Sequence, residues 1–333
     1  MSSPAERYAA ARARQAEART ELHRFRSDLG FELDPFQEQA CKALEEGRGV
    51  LVAAPTGAGK TVVGQFAVHL ALAGRRKAFY TTPIKALSNQ KYAELVDLYG
   101  ADRVGLLTGD TSINGDAPVV VMTTEVLRNM LYAGSSSLRG LGYVVMDEVH
   151  YLADRFRGAV WEEVIIHLPD DVLVVSLSAT VSNAEEFGDW LDTVRGDTEV
   201  VVSEHRPVPL FQHVMVGNRL VDLFVDQLVD EQVDGSGRDR ARRARVNPEL
   251  VRLTQRQVTS HPTAGRGARG GRGGQRGGGP GRPRRAPGPR VGVPSRAEVV
   301  ERLDAEGLLP AITFIFSRAG CDAAVRQCLA WGV

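Results

Sequence analysis

Cysteine is scarce in this chain of 333 residues, with three in all, at Cys41, Cys321 and Cys328. A small, odd number without CxxC spacing argues against a disulfide framework and a zinc site, and it predicts a reducing, cytoplasmic location. No apolar run approaches the ~20 residues that a membrane helix needs, so we expect no membrane association. The Arg- and Ala-rich start of the chain also lacks the apolar stretch of a secretory signal.

Net charge is absent too, yet the charges are segregated along the chain. Residues 235–296 hold 16 Arg and 2 acidic residues (+14), which leaves 25 basic and 39 acidic residues (−14) elsewhere. A basic segment on an acidic body indicates a polyanionic partner, while a solvated tether without a partner is the alternative. Within it, the Arg/Gly segment (residues 262–294) has 12 Gly, 8 Arg and 6 Pro. Such a composition cannot bury a core, and we expect it to be disordered.

Short apolar runs alternate with helical stretches between residues 31 and 217. The runs lie at 50–55, 77–83, 104–109, 118–124, 143–148 and 172–180. Most are β-branched on both faces, which predicts strands buried between helices and therefore a parallel α/β sheet. Apolar spacing also predicts a helix over residues 4–29 and an amphipathic helix over residues 218–233. Ser295 and Glu298 predict a capping box at a later helix.

The stretch LVAAPTGAGKT joins an apolar strand to a helix through a Gly-rich turn, which is the context of a P-loop. Gly57 and Gly59 allow backbone N–H groups to close around phosphate oxygens. Lys60 is suited to the β- and γ-phosphates and Thr61 to Mg²⁺, although Ala54 replaces the first glycine of the motif. We expect ATP to contact Pro55, Thr56, Gly57, Ala58, Gly59, Lys60 and Thr61.

A second predicted strand, in YVVMDEVH, ends in two adjacent carboxylates. Because the carboxyl ends of parallel strands meet at one edge of a sheet, Asp147 and Glu148 should face the same crevice as the P-loop. Asp147 is suited to anchor Mg²⁺, and Glu148 is suited to orient and deprotonate the attacking water. The predicted catalytic set is therefore Lys60, Asp147 and Glu148, with ATP and Mg²⁺ as cofactors.

Six motifs follow one another in order: APTGAGKT, TTPIKALSNQKY, GLLTGD, TTEVLRNML, DEVHYLADRFRGAVWEEVI and LSATVSNAEEFGDWL. Together they resemble the motifs of superfamily 2 helicases of the DExH class, here DEVH, and are most similar to the superkiller-like, exosome-associated RNA helicases. The resemblance implies a first RecA-like lobe, a parallel sheet flanked by helices, at residues 31–217. It also implies the first β-α unit of a second RecA-like lobe at 310–333. Apolar spacing and composition predict the other two parts, an N-terminal helix at 1–30 and a linker at 218–309.

The same resemblance implies roles for individual residues. Phe31 and Gln37 match the adenine-recognition element. His150 matches the residue that links the nucleotide site to the coupling motif, to which Ser178 and Thr180 belong. The residues that match motifs holding the nucleic-acid backbone are Pro83, Lys85, Thr108, Gly109, Thr123 and Arg128. Such groups fix register without reading bases, so RNA and DNA both stay open as partners.

The function that the resemblance implies is that of a monomeric, ATP-dependent RNA helicase. PAITFIFSRAGC resembles the start of a second lobe, and no motif with arginine fingers follows it, so we interpret the chain as an N-terminal fragment. Residues 1–333 alone are then expected to bind ATP with little turnover. The alternatives are an ATP- and nucleic-acid-binding protein without helicase activity, and a DNA helicase.

Overall fold

The computed structural model describes residues 8, 12, 18–153, 158–179, 184–225, 245–258 and 294–332. The chain divides into two units, residues 1–208 and residues 209–333. Each unit is built around its own elements and is described by itself below.

A sheet of eight strands forms the centre of the first unit. Its strands are β1 (Gly49–Ala53), β2 (Lys77–Thr82), β3 (Val104–Leu107), β4 (Ser112–Ile113), β5 (Val119–Thr123), β6 (Leu141–Met146), β7 (Leu173–Ser178) and β8 (Thr198–Val202). Their order is β4-β3-β5-β2-β6-β7-β1-β8, and only the short edge strand β4 runs antiparallel to its neighbour. All six apolar runs form strands, which confirms the predicted α/β fold class. Strand β8, which pairs with β1, was not predicted.

Helices cover both faces of this sheet. One face carries α1 (Glu21–Asp28), α2 (Pro35–Glu45), α3 (Thr61–Ala73) and α4 (Lys85–Tyr99). The other carries α5 (Thr124–Tyr132), α6 (Gly158–His167) and α7 (Ala184–Arg195). Alternate residues of β2 supply the two cores, since Tyr80 packs in the first and Phe79 in the second. Each large side chain buried in this way contributes about 1.5–3 kcal/mol to folding. Short 3-10 helices occupy Ser136–Leu138 and Val149–Ala153.

The predicted helix over residues 4–29 is interrupted. The chain turns at Ala18–Thr20, and α1 begins only after it. The Thr20 hydroxyl accepts a hydrogen bond from the backbone N–H of His23 at 3.1 Å, so it caps a new helix. A threonine cap satisfies an N–H group that a continuous helix would bond to a carbonyl, which explains why the helix restarts here.

The second unit opens with a hairpin of β9 (His213–Val216) and β10 (Arg219–Asp222). The predicted helix over residues 218–233 is therefore wrong at residues 218–225, while residues 226–233 lie outside the described chain. Gly217 and Asn218 form the two-residue turn, and Gly217 adopts a positive φ of 60°. A Gly-Asn pair between two alternating runs is a hairpin signal that outweighs the helical spacing.

Helices α8 (Pro248–Val258), α9 (Arg296–Ala305) and α10 (Arg318–Trp331) complete the second unit. The Ser295–Glu298 capping box at α9 is confirmed. The predicted strand at 311–316 forms no ladder with any described residue, and Ile312, Phe314 and Phe316 are exposed. A strand needs a neighbour to satisfy its backbone, and these residues have none here. The Arg/Gly segment lies outside the described residues except for Pro294.

Among the described helices, none combines the length and the apolar character required to cross a membrane.

Candidate ATP and nucleic-acid site

The turn between β1 and α3 has the backbone of a phosphate-binding loop. Gly57 and Gly59 have φ values of 86° and 82°, which residues with a Cβ seldom adopt. A Cβ on Gly59 would also lie 2.6 Å from the Nε2 atom of Gln37. The N–H of Ala54 donates to the carbonyl of Ser178 at 3.1 Å, which fixes the start of the loop to the end of β7. Both glycines of the predicted P-loop are therefore required by its shape.

Lys60 lies at the end of this loop, and its ammonium folds back onto it. The Nζ atom donates to the carbonyl oxygens of Ala54 at 2.8 Å and Pro55 at 3.0 Å. Burial lowers the pKa of Lys60, and the negative charges of Glu148 and Asp147 oppose that shift. The ammonium and the two carboxylates thus share one electrostatic site, as the strand topology predicts.

Asp147 directly follows β6 and is held at three points. Its N–H donates to the carbonyl of Thr81 at 3.0 Å. Its Oδ1 atom accepts from the N–H of Glu148 at 2.9 Å, and its Oδ2 atom accepts from the hydroxyl of Tyr80 at 2.9 Å. The carboxylate is therefore anchored both to its own turn and to the neighbouring strand β2.

Glu148 has a strained backbone and an incompletely bonded side chain. Its φ is 55°, in the left-handed region that only glycine adopts readily. Its Oε2 atom lies 3.3 Å from the Nδ1 atom of His150. Both atoms are buried, and neither forms a well-aligned hydrogen bond with a described residue. Strain of this kind costs on the order of 1–3 kcal/mol and concentrates at functional sites.

The chemistry of these groups fits Mg²⁺ and a nucleoside triphosphate. The Thr61 hydroxyl and the Asp147 carboxylate are the oxygen ligands that Mg²⁺ prefers. Thr61 is the first residue of α3, so the phosphates would also meet the positive end of that helix. The Glu148 carboxylate directly follows Asp147, and a carboxylate has the chemistry of a proton acceptor.

Gln37, which matches the adenine-recognition element, connects α2 to the P-loop. Its Oε1 atom accepts from the N–H of Asp34 at 2.9 Å, and its Nε2 atom donates to the carbonyl of Gly59 at 3.1 Å. Only 3% of Gln37 is exposed, whereas Phe31 is 55% exposed. Gln37 thus supports the loop, and its contact with an adenine edge stays a prediction.

The predicted backbone-binding residues gather at the carboxyl ends of β2, β3 and β5. Lys85 begins α4, and its Nζ atom lies 2.5 Å from the Oδ2 atom of Asp110. The Thr108 hydroxyl donates to the Oδ1 atom of the same carboxylate at 3.1 Å. A Cβ on Gly109 would meet no atom within 4 Å, so the backbone there is open to a ligand. Two predicted phosphate contacts therefore converge on one acidic side chain.

The remaining predicted contacts lie on or next to β2, β5 and α5, and Arg128 has a protein partner. Arg128 on α5 has its Nη1 atom 3.8 Å from a carboxylate oxygen of Glu163 on α6, and its Nε atom is buried without a described partner. Thr123 is buried at the start of α5, and Pro83 is buried after β2. Ser178 ends β7, whereas Thr180 lies outside the described residues.

Comparison with known families identifies the domain in which these residues lie. Residues 34–187 match the family model described as DEAD/DEAH box helicase. These residues are a DEAD/DEAH box helicase domain. The domain contains the P-loop, both carboxylates and every predicted nucleic-acid contact, and its motifs fit the DExH class of superfamily 2.

Similarity to related proteins extends beyond the helicase domain along this chain. "Probable helicase HelY" of Mycobacterium tuberculosis is 63% identical over 312 residues, which are 93% of this chain and 32% of that protein. "DExH-box ATP-dependent RNA helicase DExH15 chloroplastic" of Arabidopsis thaliana is 40% identical over 322 residues, 89% of this chain and 26% of that protein. "Superkiller complex protein 2" of Homo sapiens is 40% identical over 296 residues, 88% of this chain and 22% of that protein. The chain spans about a third or less of the length of these relatives.

Sequence reasoning missed two residues of the helicase domain site, Tyr80 and Asp110. Tyr80 lies in an apolar strand and has no motif of its own, although its phase in β2 places it on the α3 face. Asp110 belongs to the GLLTGD motif, but an exposed aspartate gives no indication of which cation it will meet. Both were identifiable only from side-chain geometry.

Proposed function

We propose that this chain supplies the ATP-binding and nucleic-acid-binding part of an ATP-dependent RNA helicase. The observation that carries the proposal is the P-loop backbone between β1 and α3, on which the Lys60 ammonium lies. Asp147 and Glu148 follow β6 of the same parallel sheet, at the same carboxyl edge. A cation on a Gly-rich loop and two carboxylates are the groups that phosphoryl transfer to water requires.

Each of the three groups has a separate task. Lys60 leaves the loop carbonyls and binds the β- and γ-phosphates. Asp147 holds Mg²⁺ together with the Thr61 hydroxyl, and the metal neutralises charge on the phosphates when it is bound. Glu148 orients the attacking water and accepts its proton.

The nucleic-acid partner binds the other half of the same edge. Lys85, Thr108 and Gly109 offer a cation, a hydroxyl and an open backbone, which suit phosphates and carry no base specificity. RNA is the favoured partner because two of the relatives are named as an RNA helicase and a superkiller complex protein. A DNA helicase is the second candidate, since these contacts do not separate RNA from DNA. The cytoplasmic location and the monomeric state stay predictions from the sequence.

The test compares Lys60→Ala and Glu148→Gln in the longest available form of the protein. Lys60→Ala should abolish most ATP binding, because the phosphates lose their charged partner. Glu148→Gln should bind ATP nearly as the wild type does and lose hydrolysis, because it cannot accept the proton. Lys42→Ala, which removes an exposed lysine of α2, is the matched control and should behave as the wild type.

Hydrolysis is then measured with single-stranded RNA and with single-stranded DNA of the same sequence. Stimulation by RNA alone supports the proposal, and stimulation by DNA alone supports the second candidate. Equal loss of ATP binding in both site variants would show that the assigned roles are wrong. Binding of ATP and RNA without any hydrolysis would leave the binding-only alternative.

A further inference from the structure

Tyr80 is a fully buried side chain whose hydroxyl reaches the edge of the nucleotide site. It lies in β2, and its register partner on β6 is Val145, two residues before Asp147. A Cβ on Gly64 of α3 would lie 3.1 Å from its ring, so α3 passes directly over it. The Nζ atom of Lys91 on α4 lies 5.5 Å from the ring centroid. Packing between two helices therefore fixes the ring in place.

The hydroxyl of this fixed ring donates to the Oδ2 atom of Asp147 at 2.9 Å. In a pair of a phenol and a carboxylate, the phenol O–H is the donor and the carboxylate oxygen the acceptor. The carboxylate cannot rotate without losing this bond or the one that its Oδ1 atom accepts from Glu148.

We propose that Tyr80 is a positioning residue that orients the Asp147 carboxylate toward Mg²⁺·ATP. The inference rests on the proposed function, since it needs Asp147 to hold Mg²⁺. Outer-shell donors of this kind set the direction of a metal-binding carboxylate, and their loss typically weakens metal affinity by about 10-fold or more. A buried tyrosine that merely satisfies its hydroxyl would influence stability alone.

The experiment replaces Tyr80 with phenylalanine, which keeps the ring and removes the hydroxyl. Tyr99→Phe is the matched control, because Tyr99 on α4 is partly buried and donates its hydroxyl to the backbone carbonyl of Gln65 at 3.2 Å. A fluorescent ATP analogue is titrated into each chain in EDTA and again across a range of Mg²⁺ concentrations. Thermal unfolding of each variant is recorded with and without nucleotide.

Tyr80→Phe should bind the analogue as the wild type does in EDTA, because Lys60 and the loop are unchanged. Its half-maximal Mg²⁺ concentration should rise by about 10-fold. Tyr99→Phe should match the wild type in both conditions. In thermal unfolding, nucleotide with Mg²⁺ should raise the unfolding midpoint more than nucleotide alone. This difference should shrink only in Tyr80→Phe.

Other outcomes separate the inference from the function on which it rests. A wild-type chain without Mg²⁺-dependent nucleotide binding would overturn the proposed function and the inference with it. A wild-type chain that binds, with an unchanged Mg²⁺ dependence in Tyr80→Phe, would overturn the inference alone. A Tyr80→Phe chain that does not fold even at low temperature would also overturn the inference, because the hydroxyl would then be required for folding of the core.

Discussion

Glu148 shows how a single residue of this protein combines function and strain. We propose it as the catalytic base on the strength of its motif, yet the motif does not indicate that its φ is 55° or that its side-chain oxygen is buried without a well-formed bond. A glutamate in the left-handed region is stable only because the turn after β6 and the neighbouring strand β2 fix the backbone around it. The sequence therefore supplies a prediction for the chemistry of this residue and none for its conformation.

That strain gives a test of stability. Glu148→Ala and Glu148→Gly both remove the carboxylate and should abolish hydrolysis. The glycine variant should be the more stable of the two by about 1 kcal/mol, because it adopts a positive φ without a steric penalty. Urea unfolding of the two variants measures the difference, and an alanine variant as stable as the glycine variant would show that the turn is relaxed.

Asp110 is a second residue whose role depends on its neighbours. Its carboxylate bonds to Lys85 and Thr108, which are both predicted to hold backbone phosphates. A hydrogen bond from Lys85 lowers the pKa of Asp110, so the carboxylate is ionised. A phosphate that binds Lys85 must therefore compete with this carboxylate.

We expect Asp110→Asn to tighten binding of single-stranded RNA by about 2- to 5-fold, because the competing charge is removed. Lys85→Ala should weaken binding, and Asp110→Asn should add little in that background. The control is Asp97→Asn, which removes an exposed charge near the far end of α4. Fluorescence anisotropy at fixed salt measures all four variants, and weaker binding by Asp110→Asn would show that the carboxylate organises the site instead.

At the scale of secondary structure, the positions of buried strands were easier to predict from the sequence than the strands with which they pair. Buried β-branched runs gave six strands correctly, because burial on both faces leaves a strong pattern. The second strand of the hairpin at residues 213–222 was predicted as helix, because four-residue strands are too short for alternation to outweigh a helical spacing. The unpaired stretch at 311–316 has the right composition for a strand, but composition does not supply a neighbouring strand.

The close approach of α3 to the sheet gives a test at this scale. A Cβ on Gly64 would lie 3.1 Å from both Tyr80 and Val145, so the helix approaches the sheet as closely as glycine permits. Gly64→Val should cost about 1–3 kcal/mol of folding stability through overpacking. Gly30→Val is the control, because a Cβ there meets no atom within 4 Å. Equal unfolding midpoints for the two variants would contradict the close packing.

At the scale of the whole chain, charge is the feature that the sequence shows best. The basic segment carries +14 and the remainder −14, and the Arg/Gly segment lies almost entirely outside the described residues. Its arginines, spaced by glycine, are suited to track a nucleic-acid backbone, but they cannot form a surface that reads bases. The alternative of a passive tether predicts no effect of its charges on binding.

Replacing the eight arginines of residues 262–294 with serine should weaken RNA binding and flatten its salt dependence. The slope of log affinity against log salt should fall by roughly 0.7 for each single-strand phosphate that an arginine no longer neutralises. Replacing the same arginines with lysine is the control and should preserve most of the slope. An unchanged slope in the serine variant would favour the tether.

Strand β2 has a thermodynamic consequence for the two ligands that we propose for this edge, Mg²⁺·ATP and RNA. It carries Tyr80, which bonds to Asp147, and it leads within a few residues into Lys85. A ligand that shifts this strand changes the binding free energy of the other ligand, and such coupling is reciprocal. The factor by which RNA strengthens Mg²⁺·ATP binding must therefore equal the factor by which Mg²⁺·ATP strengthens RNA binding. Two independent titrations thus measure one quantity, and any change at Tyr80 that acts through β2 has to alter both by the same ratio.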